Sequence, residues 1–359
     1  MVMIMKKKIV ILIIVIILLV IAGLGCYYFF NNKNVKEEKK SNSTVQEKTK
    51  NYIFAYMDYD YNIKLLDEDN KVVPLKINNV NYIMNNGLKY DNNKLYYLDK
   101  DEYIHSIDLK TNDFKDTKYD VKIKVDDATS SGVKTFFVKD GFIAYIDGVN
   151  SKAVKVDLNT GKEVVITNNL IKKATFTYYN LNNDSVYLDM NNNLYDPYKL
   201  DIVNNKGLVE ELSYHLDEDY MNEDYFTVYN NDKGTCVYNA KTKDVSNCVK
   251  SKVEVIDENN RFKTILYKDT IVYLHNDKIY MVENGKDDQL LFTIDDSIEN
   301  KDDIQLFASK DGVILAAGKT ISCQEGCSYN YKYYMIKDGS AVEIDDLSGQ
   351  NCTAYVVID

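Results

Sequence analysis

Tryptophan, arginine and histidine are nearly missing from this chain of 359 residues, and their scarcity narrows the possible functions. There is no Trp, Arg261 is the single Arg, and there are 3 His. The planar guanidinium forks of Arg favour bidentate recognition of phosphates and base edges, and Lys does not reproduce that geometry. The composition therefore argues against a nucleic-acid partner.

The histidines also fail to form a recognisable catalytic motif. His105, His215 and His275 are far apart in the chain and belong to no HExxH or paired arrangement. The sequence contains no GxSxG nucleophile elbow and no glycine-rich loop that could cradle a phosphate. We therefore predict a protein that is not an enzyme, with no catalytic, cofactor-binding or metal-binding residue.

Two acidic stretches leave calcium as a minor alternative to this prediction. Residues 58–62 begin like a calcium loop, but Ile63 stands where Gly is needed and Asp69 where a bidentate Glu is needed. A turn with solvated acids is the simpler interpretation. The run Asp217-Glu218-Asp219, with Glu223-Asp224, is interpreted as a charged loop that could hold calcium loosely.

Proline and glycine are scarce as well, and tyrosine takes their place as the characteristic residue. There are 2 Pro and 15 Gly against 31 Tyr. Tyr favours pleated, half-buried surfaces where its ring is buried and its hydroxyl meets water. This balance predicts an all-β fold, and the chain is long enough for one large or two small domains with a sizeable core.

The chain starts with a segment that predicts a membrane anchor. Residues 9–30 carry no charge and follow three lysines at 6–8. Their length matches a helix that crosses a bilayer, with the aromatic residues 27–30 at the far interface. A cleaved signal peptide normally has a shorter apolar region followed by small residues. A lipoprotein signal ending at Cys26 stays as the alternative.

The charges around this segment predict its orientation. With residues 1–8 in the cytoplasm, the remainder of the chain would lie outside as a single-pass protein of the plasma membrane. Residues 31–50 contain six Lys and three Glu and predict a flexible polar linker. Subtracting the net +3 of residues 1–30 and the net +3 of residues 31–50 from −11 leaves −17 on residues 51–359. That domain should repel anionic lipid and nucleic acid.

A repeated apolar strand organises residues 51–359. Its copies start at Tyr52, Leu95, Phe142, Val186, Phe226, Ile271 and Val313, spaced 40 to 47 residues apart. Each copy is followed by a polar turn, a second strand such as Tyr103 to Leu109, and a third such as Glu163 to Thr167. Most are preceded by a strand such as Ile304 to Ala308. Four antiparallel strands per repeat predict a single β-propeller of about seven blades, with six as the alternative.

The last apolar segment predicts how the ring closes. The first repeat has no apolar strand ahead of it, because residues 44–49 are polar, whereas residues 353–358 form a strand with no later partner. A propeller must cover the exposed edge of its first blade. We therefore expect the C-terminal strand to supply the innermost strand of that blade.

Some of the repeats resemble those of the low-density-lipoprotein-receptor type of propeller. The resemblance is carried by Tyr96-Tyr97-Leu98-Asp99, by Ile107-Asp108-Leu109 and by Val156-Asp157-Leu158-Asn159-Thr160-Gly161. It extends over the whole of residues 51–359, although the family's tyrosine-tryptophan-threonine-aspartate motif is absent. The resemblance implies a propeller in an extracellular setting and assigns no binding residue.

Five cysteines lie beyond the apolar segment and predict an oxidising compartment. Cys236 and Cys248 are placed symmetrically about a short turn, so they can face each other on paired strands and form a disulfide. Cys323 and Cys327 belong to an insertion in the seventh repeat, and we prefer a disulfide between these two. Pairing of Cys352 with either one stays open, and these residues offer too few ligands for zinc.

Two functions follow from these observations. The first is a membrane-anchored, extracytoplasmic binding or scaffolding module, a monomer whose partner is a protein or a cell-envelope glycan. The second is an extracytoplasmic hydrolase or lyase with carboxylates at the propeller axis. Tyrosines in turns could add a stacking surface for sugars or peptides. These are Tyr59, Tyr61, Tyr220, Tyr329 and Tyr331.

Overall fold

The described part of the chain is an all-β domain. The computed structural model describes residues 50–58, 60–77, 80, 87–111, 113–123, 136–147, 152–167, 174–181, 185–190, 199–204, 207–212, 215–221, 224–230, 234–249, 264–282, 287–323, 327–347, 349 and 352–358. Contacts divide the chain into two units, 1–49 and 50–359, and all of these residues belong to the second. The predicted anchor, the linker up to residue 49 and Cys26 lie outside them. Within the described residues, no helix has the length and apolar character needed to cross a bilayer.

The described strands form seven antiparallel sheets of four strands each. The first sheet has the order β28 (Cys352–Val357), β1 (Tyr52–Asp58), β2 (Ile63–Asp67), β3 (Val72–Leu75). The second to fourth sheets are β4 (Lys89–Asp91), β5 (Lys94–Leu98), β6 (Tyr103–Asp108), β7 (Asp116–Lys122); β8 (Phe136–Lys139), β9 (Phe142–Asp147), β10 (Lys152–Asp157), β11 (Glu163–Thr167); and β12 (Ala174–Asn180), β13 (Ser185–Met190), β14 (Lys199–Asn204), β15 (Gly207–Leu212). The fifth to seventh are β16 (His215–Met221), β17 (Tyr225–Asn230), β18 (Gly234–Asn239), β19 (Val245–Val249); β20 (Thr264–Tyr267), β21 (Thr270–His275), β22 (Lys278–Met281), β23 (Gln289–Thr293); and β24 (Asp303–Ala308), β25 (Val313–Cys323), β26 (Cys327–Lys337), β27 (Ser340–Glu343). A short 3-10 helix follows at Asp345–Leu347.

The sheets are arranged as the blades of a single propeller. Edge strands of neighbouring sheets touch each other, as β28 does with β4, β4 with β8, and β20 with β24, which makes them the innermost strands. The hydrophobic cores lie between sheets rather than within them. Leu65 of the first sheet packs with Leu95 of the second, and Ile314 of the seventh packs with Phe54 of the first. Alternate side chains of one strand therefore serve two different cores.

The C-terminal strand closes the first sheet, as its sequence predicts. β28 pairs antiparallel with β1, with Tyr355 opposite Tyr56 and Ala354 opposite Met57. Both Ala354 and Ile358 are buried. The edge of β1 is thereby covered by the strand farthest from it in the chain.

The turns between first and second strands define one face of the propeller, which we call the entry face. They include Asn92-Asn93, Asp140-Gly141 and Lys268-Asp269, and the chain enters β1 on the same face after Lys50. The first two pairs have positive φ at both residues, at 49° and 58° and at 49° and 78°. These angles are the ones that two-residue hairpin turns need, and Asn, Asp and Gly tolerate them.

Two sequence interpretations are corrected by the strand assignments. Residues 217–219, interpreted as a charged loop, lie on β16, the innermost strand of the fifth sheet. Its pairing with β17 is irregular between Leu216 and Met221, so the acidic run stands in a strand without a regular ladder. The insertion around Cys323 is a continuous extension of β25 and β26, because Thr, Ile and Tyr there favour strand structure.

Candidate functional site

The predicted disulfide between Cys236 and Cys248 is present. It joins β18 to β19 with a distance of 4.0 Å between the two Cα atoms. The backbone register places Cys323 directly opposite Cys327 at the end of the extended hairpin. The side chains of Cys323, Cys327 and Cys352 lie outside the described part, so that pairing stays a prediction.

The calcium-like stretch 58–62 is a capped turn. Asp58 Oδ1 accepts hydrogen bonds from the backbone N of Asp60 at 2.9 Å and of Asn62 at 3.0 Å. Within the described residues, no group of three His, Cys, Asp or Glu side chains is arranged to hold a metal ion. The side chains of Asp217, Glu218 and Asp219 are outside that search.

The aspartates of the receptor-like motifs have the same structural role. Asp157 Oδ1 accepts hydrogen bonds from the backbone N of Asn159 at 2.8 Å and of Thr160 at 3.1 Å. Asp108 Oδ1 accepts one from Lys110 N at 2.8 Å. A carboxylate that bonds to its own turn in this way replaces a missing ladder partner. The Asp-Leu pattern thus marks turn caps, and the Leu that follows is buried.

His105 belongs to a polar network on one face of the second sheet. Its Nε2 lies 3.1 Å from Asp99 Oδ2, and its Nδ1 lies 3.1 Å from Asp116 Oδ2. Tyr97, opposite His105 in the ladder, donates its hydroxyl hydrogen to Asp116 Oδ2 at 3.1 Å. Lys118 Nζ donates to Asp99 Oδ2 at 2.8 Å. The network links β5, β6 and β7 of the second sheet.

Charge and burial shift the pKa values in this network. Burial alone would raise the pKa of Asp99, but hydrogen bonds from Lys118, from the backbone of Tyr103 and from His105 hold it below its ordinary value. The hydrogen bond to Asp99 raises the pKa of Lys118. Burial, followed by the charge of Asp116, raises the pKa of Tyr97. Asp99 is therefore ionised and paired, which is the behaviour of a structural ion pair.

The hydrolase hypothesis predicts carboxylates at the propeller axis, which the innermost strands line. Among their described side chains, Asp91 ends β4 at the entry face, whereas Asp303 begins β24 at the opposite face. Asp91 accepts a hydrogen bond from Asp140 N at 2.9 Å, and Asp303 accepts one from Tyr331 at 2.6 Å. Two carboxylates at opposite faces of the propeller cannot act together on one bond of a substrate.

Lys89 lies on β4, an innermost strand, and its pKa is strongly shifted. Its Nζ lies 5.2 Å from the ring centroid of Phe137 on β8, so it crosses from the second sheet to the third. Burial lowers the pKa of Lys89 to about 8. An ammonium group held against an aromatic ring is stabilised by the ring's negative face.

The tyrosines predicted as a stacking surface are divided by the structure. Tyr331 is buried, with 1% of its surface exposed, and packs between the seventh sheet and the first. Tyr61 remains exposed in its turn. Tyr329 packs against that same core and lies 5.9 Å from the Tyr331 ring centroid. The side chains of Tyr59 and Tyr220 lie outside the described part.

A cavity of about 200 Å³ opens on the entry face where β28 and β1 meet, and we call it the seam cavity. Its floor is apolar and buried. The floor residues are Tyr52, Ile53, Leu109 and Ile358. The carbonyl of Ile53 accepts hydrogen bonds from Ile358 N and Lys310 N, each at 3.3 Å, so the backbone of this floor is fixed from two sides.

The rim of the seam cavity is polar and exposed. It is formed by Lys50, Asn51, Glu68, Asn93 and Lys310. Asn51 Nδ2 donates to Glu68 Oε2 at 3.2 Å. Asp311 and Tyr90 complete the wall. Two ammonium groups, two carboxylates and two amides therefore surround an apolar floor.

The cavity exists because the first sheet lacks a connecting turn at this position. In the second sheet Asn92-Asn93 joins the first strand to the second, and in the seventh Ser309–Gly312 does so. In the first sheet these strands are β28 and β1, which are separated by the whole domain. Sequence reasoning missed the site, although the polar stretch ahead of Tyr52 was a signal of the missing turn.

Comparison with known proteins finds structural similarity but no family. No model of a known protein family matches the sequence, and no curated protein does. Among solved structures, a quinoprotein alcohol dehydrogenase-like protein from Bacteroides thetaiotaomicron has a TM-score of 0.50 at 15% identity, over 87% of this chain and 78% of that one. The WD40 β-propeller domain of Doa1 has a TM-score of 0.43 at 13% identity, over 74% and 86%. KlHsv2 with loop 6CD replaced by a Gly-Ser linker has 0.45 at 11%, over 85% and 96%. At these identities the likeness concerns the fold alone.

Proposed function

We propose that this chain is a membrane-anchored, extracytoplasmic binding module that attaches to a cell-envelope glycan or a protein without chemical turnover. The observation that carries the proposal is the use of carboxylates in the described turns. Asp58, Asp99 and Asp157 each accept hydrogen bonds from the backbone of their own turn. Such groups are committed to holding the turns in shape, and rigid turns of unlike sequence suit recognition.

The extracytoplasmic setting is supported by two further features. The disulfide between Cys236 and Cys248 suits an oxidising compartment. The uncharged residues 9–30 suit a bilayer-spanning helix, and the polar residues 31–50 suit a flexible tether. The resemblance to receptor-type repeats agrees with the same setting.

A hydrolase or lyase is the second candidate, and the position of residues 217–219 favours it. These three acids occupy the innermost strand of the fifth sheet. Propeller axes can gather site residues from several blades, and carboxylates there could act as acid and base.

One experiment separates the two candidates. The full chain, purified in mild detergent, is mixed with insoluble cell-envelope glycan and then assayed with a panel of glycoside, ester and uronide substrates. The binding module predicts cosedimentation with the glycan and no product. Turnover that is lost in the variant D217N/E218Q/D219N would instead establish the enzyme. A chain that neither sediments with the glycan nor captures an envelope protein contradicts the proposed function.

A further inference from the structure

We propose that the seam cavity binds one neutral pyranose unit, free or at the end of a glycan chain. The inference rests on the proposed function, which it narrows to a ligand class and a place. The first argument is size. A cavity of about 200 Å³ is below the roughly 300–1,000 Å³ of pockets that hold drug-sized ligands, so it accepts one small unit.

The lining has the two-sided chemistry of a sugar ring. A pyranose presents C–H groups on one side and hydroxyls around its edge. The buried floor of Tyr52, Leu109 and Ile358 can receive the C–H side, and the half-buried Tyr90 of the wall adds an aromatic side chain. The rim groups of Glu68 and Asn93 can accept and donate hydrogen bonds at the edge.

The balance of charge around the cavity favours a neutral ligand. Lys50 and Lys310 are matched by Glu68 and Asp311, so the charges of the described lining residues sum to zero and attract neither an anion nor a cation. A zwitterion such as an amino acid could pair with both signs. Ion pairs with exposed side chains contribute little in water, however, so that match gives weak selection. The hydroxyls of a neutral sugar cost less free energy to remove from water than charged groups do, and they can still bond to the carboxylates and amides of the rim.

Binding at this position is coupled to closure of the ring. The lining comes from three sheets: Ile358 and Tyr52 from the first, Asn93 and Leu109 from the second, and Lys310 from the seventh. A ligand that touches all three binds the closed ring and not the unfolded chain. It therefore raises the free energy of unfolding by RT ln(1 + L/Kd), where L is the free ligand concentration.

The test uses the full chain in detergent and ligand-observed saturation-transfer NMR. The probes are methyl glucoside, methyl galactoside and N-acetylglucosamine, with alanine and inorganic phosphate as charged probes. Longer oligosaccharides of the same units distinguish a free sugar from a glycan end. We expect transfer to at least one neutral sugar, and a loss of affinity of about tenfold in Lys310→Ala and in Glu68→Ala, as for one hydrogen bond to a charged group.

Lys268→Ala is the matched control, because Lys268 occupies the corresponding turn of the sixth sheet and does not line the cavity. It should bind like the wild type. The inference is wrong if no neutral sugar shows transfer, if alanine or phosphate binds instead, or if Lys310→Ala and Glu68→Ala bind as the wild type does. If these two variants still cosediment normally with envelope glycan, the proposed function stands and only the seam cavity is excluded.

Discussion

Tyr331 packs its ring against Gly318 on the neighbouring strand, so closely that a Cβ at residue 318 would lie 2.7 Å from Tyr331 Cε1. The Cβ of Tyr329 would lie 3.2 Å away. We expect Gly318→Ala to lower the free energy of unfolding by about 1–3 kcal/mol, as overpacking of a core does. Urea unfolding measures it, with the exposed Lys319→Ala as control. Equal stability of Gly318→Ala and wild type would show that the ring moves freely.

The disulfide between Cys236 and Cys248 closes a loop with a sequence separation of 12. Replacing both residues by Ala should reduce stability by about 3 kcal/mol, chiefly because the unfolded chain gains freedom. Guanidinium unfolding of the oxidised wild type, the reduced wild type and the double variant measures this effect. Reduced wild type should match the double variant, and a double variant as stable as the oxidised wild type contradicts the prediction.

Removal of residues 352–359 should abolish cooperative unfolding. It uncovers the edge of β1 and exposes the core between the first and second sheets that Ala354 and Ile358 help to fill. Circular dichroism during heating measures the transition, and a peptide of residues 351–359 added in excess should restore it. If the truncated chain melts like the intact one, β28 is dispensable.

Acid should weaken the network around Asp99. The pKa of Asp99 is lowered in the folded state from its ordinary 3.8. The stability that ionised Asp99 contributes is therefore present above pH 3.8 and is lost as the pH falls below that value. Unfolding free energies between pH 2 and 5 should therefore fall more steeply in the wild type than in Asp99→Asn. The exposed Asp120→Asn serves as the control. Parallel pH profiles for wild type and Asp99→Asn would exclude this assignment.

Lys89 should likewise make stability rise with pH, but in the alkaline range. Its pKa is lowered from 10.5 to about 8 in the folded state, so the unfolded state binds more protons between these values. The free energy of unfolding then rises as pH increases across that interval. Lys89→Met should remove the rise, whereas the exposed Lys268→Met should retain it. Unfolding by urea at several pH values between 8 and 10.5 provides the comparison.

The repeat made most of the fold predictable, because each strand carries its own alternating pattern. The strand predicted from Ile304 to Ala308 is β24, Asp303–Ala308, and that predicted from Glu163 to Thr167 is β11. The prediction of a charged loop at 217–219 was wrong. Asp and Glu disfavour strands on average, but their position in the fold overrides that preference here. Tyr331, predicted as surface, is buried because its strand continues into the core.

The seam cavity could not be predicted from local sequence. Tyr52, Asn93 and Lys310 meet there although they belong to three sheets and lie far apart in the chain. No motif of fixed spacing connects such residues, and their types are ordinary for turns. Only closure of the ring brings them together. The disulfide between Cys236 and Cys248, in contrast, depends on a single hairpin and could be predicted from the local sequence.

Closure by β28 also sets the order of events during biosynthesis. The strand that covers β1 is the last of the domain to be made, about 300 residues after its partner. Until it emerges, β1 presents an unpaired edge, and pairing of such distant segments is slow. The ring must therefore complete after synthesis of its final strand. A chain stalled or cut short before residue 352 would be prone to aggregation through that edge, and quality-control proteases can recognise it there.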